Sequence, residues 1–217
     1  MRILGIDPGS RLTGYGCIDW NGQRMQSVTH GTLRLANTSG KATIPLEKRL
    51  LSIYEGLSEI IKAFRPDVLV VEKVFFAKNA VSALKLGQAR GAVILTGMIH
   101  GLDICEYSPN EVKQAVVGQG HADKAQVAKM VQLLLGVQNF DTADASDGLA
   151  LAICHAHTAR LGMGNPSASR ELSAGTRSAL QVAIENASGG RGKKRISLAE
   201  AVGVVPSGIR RVGAPKR

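Results

Sequence analysis

The chain lacks the marks of a secreted or membrane-bound protein. Among its 217 residues only Cys17, Cys105 and Cys154 are cysteines, and they lie far apart with no C-x-x-C spacing. This pattern argues against disulfides and a zinc site and favours a reducing compartment. No apolar run approaches the roughly 18 residues of a membrane-spanning helix. Asp and Pro interrupt the N-terminal MRILGIDPGS, unlike a signal peptide. We therefore expect an intracellular protein with no membrane contact.

Acidic residues are also few. The chain has 17 Asp and Glu against 27 Lys and Arg, which gives a net charge of +10 at pH 7. Such a balance favours a polyanionic partner but does not distinguish DNA from RNA or an anionic membrane. Residues 1–162 hold 17 basic and 14 acidic side chains, so residues 163–217 hold the other 10 and 3. Charge alone would therefore place a nucleic-acid site in the last quarter of the chain.

The charge composition changes near residue 162, and the predicted domain boundary lies at the same position. Up to Gly162 the apolar residues follow the periods of strands and helices, whereas residues 163–217 contain Gly, Ser and Pro with the basic cluster GGRGKKR. We expect a folded domain over 1–162. We expect residues 163–217 to be a flexible basic extension, and we rank loose contact with DNA phosphates ahead of a partner contact or a solvated appendage as its role.

The order of elements predicts an α/β fold. Arg2–Asp7, Thr13–Trp20 and Gln23–Leu33 are predicted strands, and Asn21-Gly22 predicts a two-residue hairpin with positive φ at both positions. The sequence continues with a helix over 45–65, a strand over 67–72, a helix over 79–99, a strand over 103–107 and helices over 110–117, 124–135 and 143–160. This order indicates a mixed sheet with helices on its faces.

Two carboxylates stand at predicted strand ends. Asp7 closes the first strand and Glu72 closes the fourth, and strand ends at one edge of a sheet can lie side by side. Either residue alone is as well explained by local structure, since Asp7 precedes a Pro-Gly turn and Glu72 begins a loop. The pair is harder to explain in this way, because DVLVVE is otherwise apolar and a buried carboxylate needs a partner or a metal.

Asp144 and Asp147 form a second pair of carboxylates, in DTADASDGLALAI at the start of the last predicted helix. A spacing of i, i+3 directs both side chains to one face of the helix. Asp141 or Thr142 can cap the helix, which leaves the pair available. Acidic residues also favour the first turn through the helix dipole. That explanation accounts for one aspartate, but less well for Asp141, Asp144 and Asp147 together.

Four carboxylates without histidine or cysteine partners are typical of a site for hard cations, Mg²⁺ or Mn²⁺. Two such ions about 4 Å apart can hold a phosphodiester between them, one activating water and the other stabilising the leaving oxygen. An acidic centre in a basic chain fits this chemistry. The metal reverses the local charge, while Lys and Arg side chains hold the phosphate backbone.

Four segments in order, GIDPGSRLTGYG, VVEKVFFAKNAVSALKLGQARG, YSPNEVKQAVVGQGHADKAQV and DASDGLALAI, resemble the RuvC family of bacterial Holliday-junction endonucleases. The resemblance covers nearly all of residues 1–162. It implies a ribonuclease-H-like mixed five-stranded sheet, with three antiparallel N-terminal strands followed by parallel strands and helices on both faces. It also implies a homodimer that resolves four-way DNA junctions in recombination and repair. The paired, symmetric, Mg²⁺-dependent nicks would leave 5′-phosphate and 3′-hydroxyl ends.

The resemblance also implies roles for individual residues. The catalytic and metal-binding carboxylates fall on Asp7, Glu72, Asp144 and Asp147, which would hold two Mg²⁺ per site, with Mn²⁺ as a substitute. An aromatic side chain at Phe75 would stack on an unpaired base, whereas we expect Phe76 to pack internally. The basic residues expected to contact DNA are Lys113 and Lys124 by resemblance, and Lys78, Lys85 and Arg90 by their place on the helix after Glu72.

The family context sets three further expectations. A contact with the RuvA–RuvB branch-migration complex and a nucleoid-associated place in the bacterial cytoplasm follow from the resemblance alone. Ser146 and Gly148 stand where the family usually has alanine. Gly148 is therefore expected to weaken its helix by about 1 kcal/mol.

Two other functions compete with the endonuclease. A nucleotide-binding ATPase domain is one alternative, because GIDPGS with its following glycines looks like the first phosphate loop of the actin and sugar-kinase group, although 217 residues leave little room for the second lobe of that architecture. A junction-binding or RNA-binding protein without catalysis is the other alternative. The presence of all four carboxylates argues against it.

Overall fold

Five strands form one sheet, and helices cover both of its faces. A computed structural model describes residues 1–35, 44–73, 80–140 and 142–160. The strands are β1 (Arg2–Asp7), β2 (Leu12–Trp20), β3 (Met25–Arg34), β4 (Val68–Glu72) and β5 (Asp103–Tyr107). The helices are α1 (Leu46–Phe64), α2 (Ala80–Ile99), α3 (Pro109–Val117), α4 (Lys124–Leu135) and α5 (Ala143–Arg160). None of these helices is both long and apolar enough to span a bilayer.

The strand order in the sheet is β3-β2-β1-β4-β5. β1 pairs antiparallel with β2, and β2 pairs antiparallel with β3. β4 lies parallel to β1 on its other side, and β5 lies parallel to β4. The predicted mixed sheet is therefore confirmed, and each element begins and ends within two residues of its predicted bounds.

The hairpin between β2 and β3 differs from the prediction. Trp20 pairs with Met25, and the backbone N–H of Asn21 donates to the carbonyl of Arg24. Gly22 has a φ of 95°, but Asn21 does not have a positive φ. The Asn21 side chain instead accepts hydrogen bonds from the backbone N–H groups of Gln23 and Arg24. The tight turn is thus centred on Gly22 and Gln23, one residue later than predicted, because Asn21 acts through its side chain.

Alternation along the strands divides the interior into two apolar cores. On one face, Leu4, Leu69 and Val71 pack in a core with residues of α1 and α2. On the other face, Ile3 and Val70 pack with residues of α3, α4 and α5. Since successive side chains of a strand point to opposite faces, Asp7 and Glu72 belong to the second face. This alternation places both strand-end carboxylates on the side covered by α5.

Glycines bring α5 into direct backbone contact with β1 and β2. A Cβ atom on Gly5 would lie 2.1 Å from the carbonyl oxygen of Gly148, and one on Gly16 would lie 2.4 Å from the amide nitrogen of Leu149. A Cβ on Gly148 would meet the amide nitrogen of Gly16 at 2.6 Å. The expectation that Gly148 only weakens its helix is therefore incomplete, because the missing side chain is what allows α5 to lie this close to the sheet.

Candidate active site

The strand ends bring Asp7 and Glu72 together. Ile6 of β1 is paired with Val71 of the parallel strand β4, so Asp7 and Glu72 are the next residue along each strand. Both line one cleft of about 300 Å³ at this edge of the sheet. The side-by-side arrangement follows from parallel pairing, in which the carboxyl ends of neighbouring strands meet at one edge.

The beginning of α5 brings the second pair of carboxylates to the same place. The Thr142 hydroxyl accepts a hydrogen bond of 3.3 Å from the backbone N–H of Ala145, as a capping side chain does. One carboxylate oxygen from each of Asp7, Asp144 and Asp147 lies within 4.8 Å of the other two. Gly14, the β2 partner of Asp7, permits this approach, because a Cβ there would lie 2.0 Å from the carbonyl oxygen of Asp144.

Two lysines enter the cleft from the short helices. Lys113 of α3 and Lys124 of α4 line it together with Asp7, Glu72 and Asp147. Lys124 is the first residue of α4, directly after the Asp123 cap, and its Nζ lies 3.1 Å from Oδ2 of Asp147. Asp147 raises the pKa of Lys124, which keeps the ammonium group charged.

The carboxylates of the cluster repel one another in a partly buried cleft. Burial, with the charges of Glu72 and Asp147, raises the pKa of Asp7 to about 7, while the charge of Lys124 opposes this shift. Burial also raises the pKa of Glu72, with Asp147 adding to the effect. Four carboxylates therefore face only two lysines, and full ionisation leaves an excess of negative charge in a partly desolvated cleft.

This donor set fits a hard divalent cation. All the candidate ligands are carboxylate oxygens, which Mg²⁺ and Mn²⁺ prefer over softer metals. A bound cation would oppose both the burial and the repulsion that raise the pKa of Asp7. The acidic cluster is thus compatible with metal binding at the predicted position.

The other predicted DNA contacts have different surroundings. Lys85 is exposed on α2. Arg90, on the same helix, is partly buried and forms an ion pair with Glu106 of β5. Phe75 and Lys78 lie outside the described residues, as do Phe76 and the extension over 163–217.

Two groups of residues around the site are not predicted from the sequence. The first is the glycines at 5, 14 and 16, which set the distance between α5 and the sheet. Glycines at alternate positions of an apolar strand are a signal for close backbone approach. The second is the Arg90–Glu106 pair, for which no sequence pattern gives a signal, because the two residues meet only after β4 and β5 have paired.

Comparison with known proteins decides the family. The profile of the family described as crossover junction endodeoxyribonuclease RuvC matches residues 3–155. The chain belongs to the RuvC family. A RuvC from Geobacter sulfurreducens is 54% identical over 159 residues, which cover 73% of this chain and 94% of that protein. A RuvC from Vibrio vulnificus is 55% identical over 156 residues, covering 72% and 87% respectively.

A solved RuvC structure has the same fold. Thermus thermophilus RuvC, in a complex with Holliday junction substrate, superposes with a TM-score of 0.68 at 33% sequence identity. The likeness covers 75% of this chain and 97% of that one. The ribonuclease-H-like fold expected from the resemblance is therefore confirmed, as is membership of an endodeoxyribonuclease family whose relatives are bacterial.

Proposed function

We propose that this RuvC protein resolves four-way DNA junctions by paired symmetric nicks, in recombination and repair. The observation that supports the proposal is that Asp7 and Asp147 are grouped with Asp144 in one acidic cluster and share one cleft with Glu72 at the edge of the sheet. Family membership favours this activity over the ATPase and over a binding protein without catalysis. The relative whose structure contains a Holliday junction supports the same substrate.

The four carboxylates are proposed to hold two Mg²⁺ ions, with Mn²⁺ as a substitute. When bound, such ions activate water and stabilise the leaving oxygen of a phosphodiester. Lys124 orients Asp147 through their 3.1 Å contact, and Lys113 supports the charge of Glu72. Hydrolysis in this arrangement would leave 5′-phosphate and 3′-hydroxyl ends, which a ligase can join.

The proposed DNA contacts include two lysines that line this cleft. Lys113 and Lys124 carry positive charge beside the carboxylates, where a phosphate would enter. Lys85 provides an exposed charge on α2, and Phe75 and Lys78 belong to the segment between β4 and α2. Residues 163–217 carry 10 of the 27 basic side chains, so we assign to them a loose, salt-sensitive contact with the backbone outside the folded domain over 1–162.

A homodimer is the proposed assembly, and α2 offers the surface for it. Val81, Leu84, Leu95 and Met98 of α2 are between 46% and 65% exposed. Their spacing follows the apolar seam of a coiled coil, and a Cβ on Gly91 within this seam would meet nothing within 4 Å. A second copy of the chain would cover this stripe, and a two-fold dimer suits a near two-fold junction.

Sedimentation of variants tests the dimer. Leu95→Glu should convert the protein to monomers, because it places a charge in the centre of the apolar stripe. Leu133→Glu is the matched control, since Leu133 of α4 is also exposed but lies off the stripe. A Leu95→Glu protein that still sediments as a dimer would contradict the α2 interface.

Further partners follow from the function. We propose that the protein acts on nucleoid DNA in the bacterial cytoplasm, after a branch-migration complex of the RuvA–RuvB type has moved the junction. The bacterial relatives support this placement. Co-sedimentation with RuvA–RuvB bound to a junction would test the contact.

Cleavage of defined substrates tests the central proposal. The protein is incubated with a mobile four-way junction, a linear duplex and ATP, with and without Mg²⁺. We expect symmetric nicks in the junction alone and only with Mg²⁺. Asp7→Asn should abolish the nicks while the protein still binds the junction. ATP hydrolysis, or undiminished cutting by Asp7→Asn, would refute the proposal.

A further inference from the structure

Arg90 contacts the backbone of Glu72 from the face of the sheet opposite the cleft. Its Nε donates a hydrogen bond of 3.2 Å to the carbonyl oxygen of Glu72. Its Nη2 forms an ion pair with the carboxylate of Glu106. Glu106 is the β5 residue paired with Val71, so its side chain lies on the same face as Val71, towards α2. Arg90 therefore joins α2 to the ends of both β4 and β5.

This contact lies where β4 loses one of its neighbours. The pairing of β4 with β1 extends to Val71, whereas β5 continues alongside through Glu72 and Tyr107. The backbone N–H of Lys73 then donates to the carbonyl of Tyr107 at 2.8 Å. At Glu72, β4 is thus held by its pairing with β5 and by the hydrogen bond from the Arg90 side chain.

We propose that Arg90, oriented by Glu106, is a positioning residue that holds the Glu72 carboxylate in the cleft that Asp7 and Asp147 also line, where it would help to bind a cation. Glu72 projects to the cleft face while its carbonyl group is held from α2. A shift of the strand end would displace the carboxylate within the cleft, and displacements near 1 Å in such sites can lower rates by about a hundredfold. This inference rests on the proposed nuclease function.

This positioning role differs from the contact with DNA that the sequence analysis expects for Arg90. Arg90 and Glu106 neutralise each other, and their side chains are only 25% and 34% exposed. Two nitrogens of the guanidinium group are already engaged within the protein. Lys85 on the same helix is exposed, which suits a phosphate contact better.

Replacing Arg90 by lysine distinguishes a positioning role from a DNA contact, because a lysine can keep the charge but not both hydrogen-bonded contacts. Arg90→Lys keeps the positive charge but cannot bind the Glu72 carbonyl and the Glu106 carboxylate together in the planar arrangement of a guanidinium group. Glu106→Gln keeps Arg90 and removes only the charge that orients it. Lys62→Met is the control for removing a basic side chain far from the cleft. Lys62 is exposed near the end of α1, which leads into the beginning of β4, at the edge of the sheet opposite to the cleft.

Three measurements on the full-length chain separate the roles. They are junction affinity without divalent cations, the single-turnover cleavage rate at saturating enzyme with Mg²⁺, and Mn²⁺ affinity by calorimetry without DNA. Arg90→Lys should keep junction affinity within about twofold, lower the cleavage rate by about tenfold or more and weaken Mn²⁺ binding. Glu106→Gln should show the same pattern with smaller losses. The double variant should lose less than the product of the two single effects, since both act on one contact.

Several results would overturn the inference. Wild-type cleavage and Mn²⁺ binding in Arg90→Lys would do so, as would weaker junction binding with a normal rate at saturation, which is the pattern of a DNA contact. If Arg90→Lys fails to fold, unchanged cleavage and Mn²⁺ binding in Glu106→Gln would refute it instead. If the wild-type protein does not cut junctions, the proposed function fails, and the Mn²⁺ titration alone decides whether Arg90 positions Glu72.

Discussion

Replacing Asp7 by Asn should stabilise the metal-free protein at pH 8 although it abolishes cleavage. Burial, with the charges of Glu72 and Asp147, raises the pKa of Asp7 from 3.8 to about 7. The unfolded chain therefore releases this proton near pH 4, while the folded protein keeps it up to about pH 7. The folded state binds more protons throughout this window, so stability is lost as the pH rises through it, and the full cost applies above pH 7.

The magnitude follows from the two pKa values. Moving a pKa from 3.8 to about 7 corresponds to roughly 4 kcal/mol at pH 8. Water in the open cleft screens part of the repulsion, so we expect Asp7→Asn to gain about 1–3 kcal/mol of unfolding free energy in a chelator. Asn has nearly the same shape as Asp, which limits other changes in packing.

Urea unfolding followed by circular dichroism at pH 5.5 and pH 8 measures this effect. The wild-type protein should be less stable at pH 8 without metal, and Asp7→Asn should lose most of that pH dependence. Mg²⁺ should stabilise the wild-type protein more than the variant. Asp19→Asn is the control, and it should lower the unfolding free energy at pH 8. Arg2 donates to Asp19 at 2.8 Å and holds the pKa of Asp19 below its usual value, so the charge of Asp19 stabilises the fold. An Asp7→Asn protein with unchanged pH dependence, or with lower stability at pH 8, would refute the reasoning.

Three further predictions concern other parts of the chain. Gly14→Ala should lower the unfolding free energy by about 1–3 kcal/mol and reduce cleavage at least tenfold, because its Cβ would displace Asp144. Tyr107→Phe should cost about 1–3 kcal/mol in urea unfolding, since it removes the 2.9 Å hydrogen bond between the Tyr107 hydroxyl and Nδ1 of the buried His155. Deleting residues 163–217 should weaken junction binding and lower its dependence on salt, while cleavage at saturating protein persists.

Each of these predictions has a contrary outcome. Gly87→Ala is the control for Gly14→Ala, because a Cβ on Gly87 meets nothing within 4 Å, and equal effects of the two would show that the contact with Asp144 is unimportant. An unchanged urea midpoint in Tyr107→Phe would mean that water replaces the lost hydroxyl. Loss of cleavage at saturation after the deletion would show that residues 163–217 belong to the catalytic unit.

The sequence predicts the elements of this fold well, because their signals are local. Alternation and apolar runs locate the strands, and helical periodicity with proline locates α1. The Asn21-Gly22 signal predicts a hairpin but places its turn one residue early, because the Asn21 side chain takes the place of a backbone acceptor. Such a choice between side chain and backbone depends on the final geometry and not on the residue types.

The carboxylates that line the candidate site are predictable from the sequence, but the contacts that support them are not. Asp7 and Glu72 follow from strand ends, and Asp144 and Asp147 follow from helical spacing, so periodicity is enough to group them. The contact of Gly148 with Gly16 and the pairing of Arg90 with Glu106 join elements far apart in the chain. Periodicity carries no information about which distant elements meet, and these supporting contacts therefore required the structure.

The glycine contact between α5 and the sheet has a consequence for the size of the cation that can bind between them. Asp7 moves with the sheet, whereas Asp144 and Asp147 move with α5, so the space between them depends on one separation. Backbone atoms already touch at Gly5, Gly16 and Gly148, and this separation can increase but not decrease. Mg²⁺ binds oxygen at about 2.0–2.1 Å and Ca²⁺ at about 2.3–2.6 Å. If a cation bridges the two pieces, these glycines set the smallest distance between its ligands, so positions that touch neither metal nor DNA would influence which ionic radius fits.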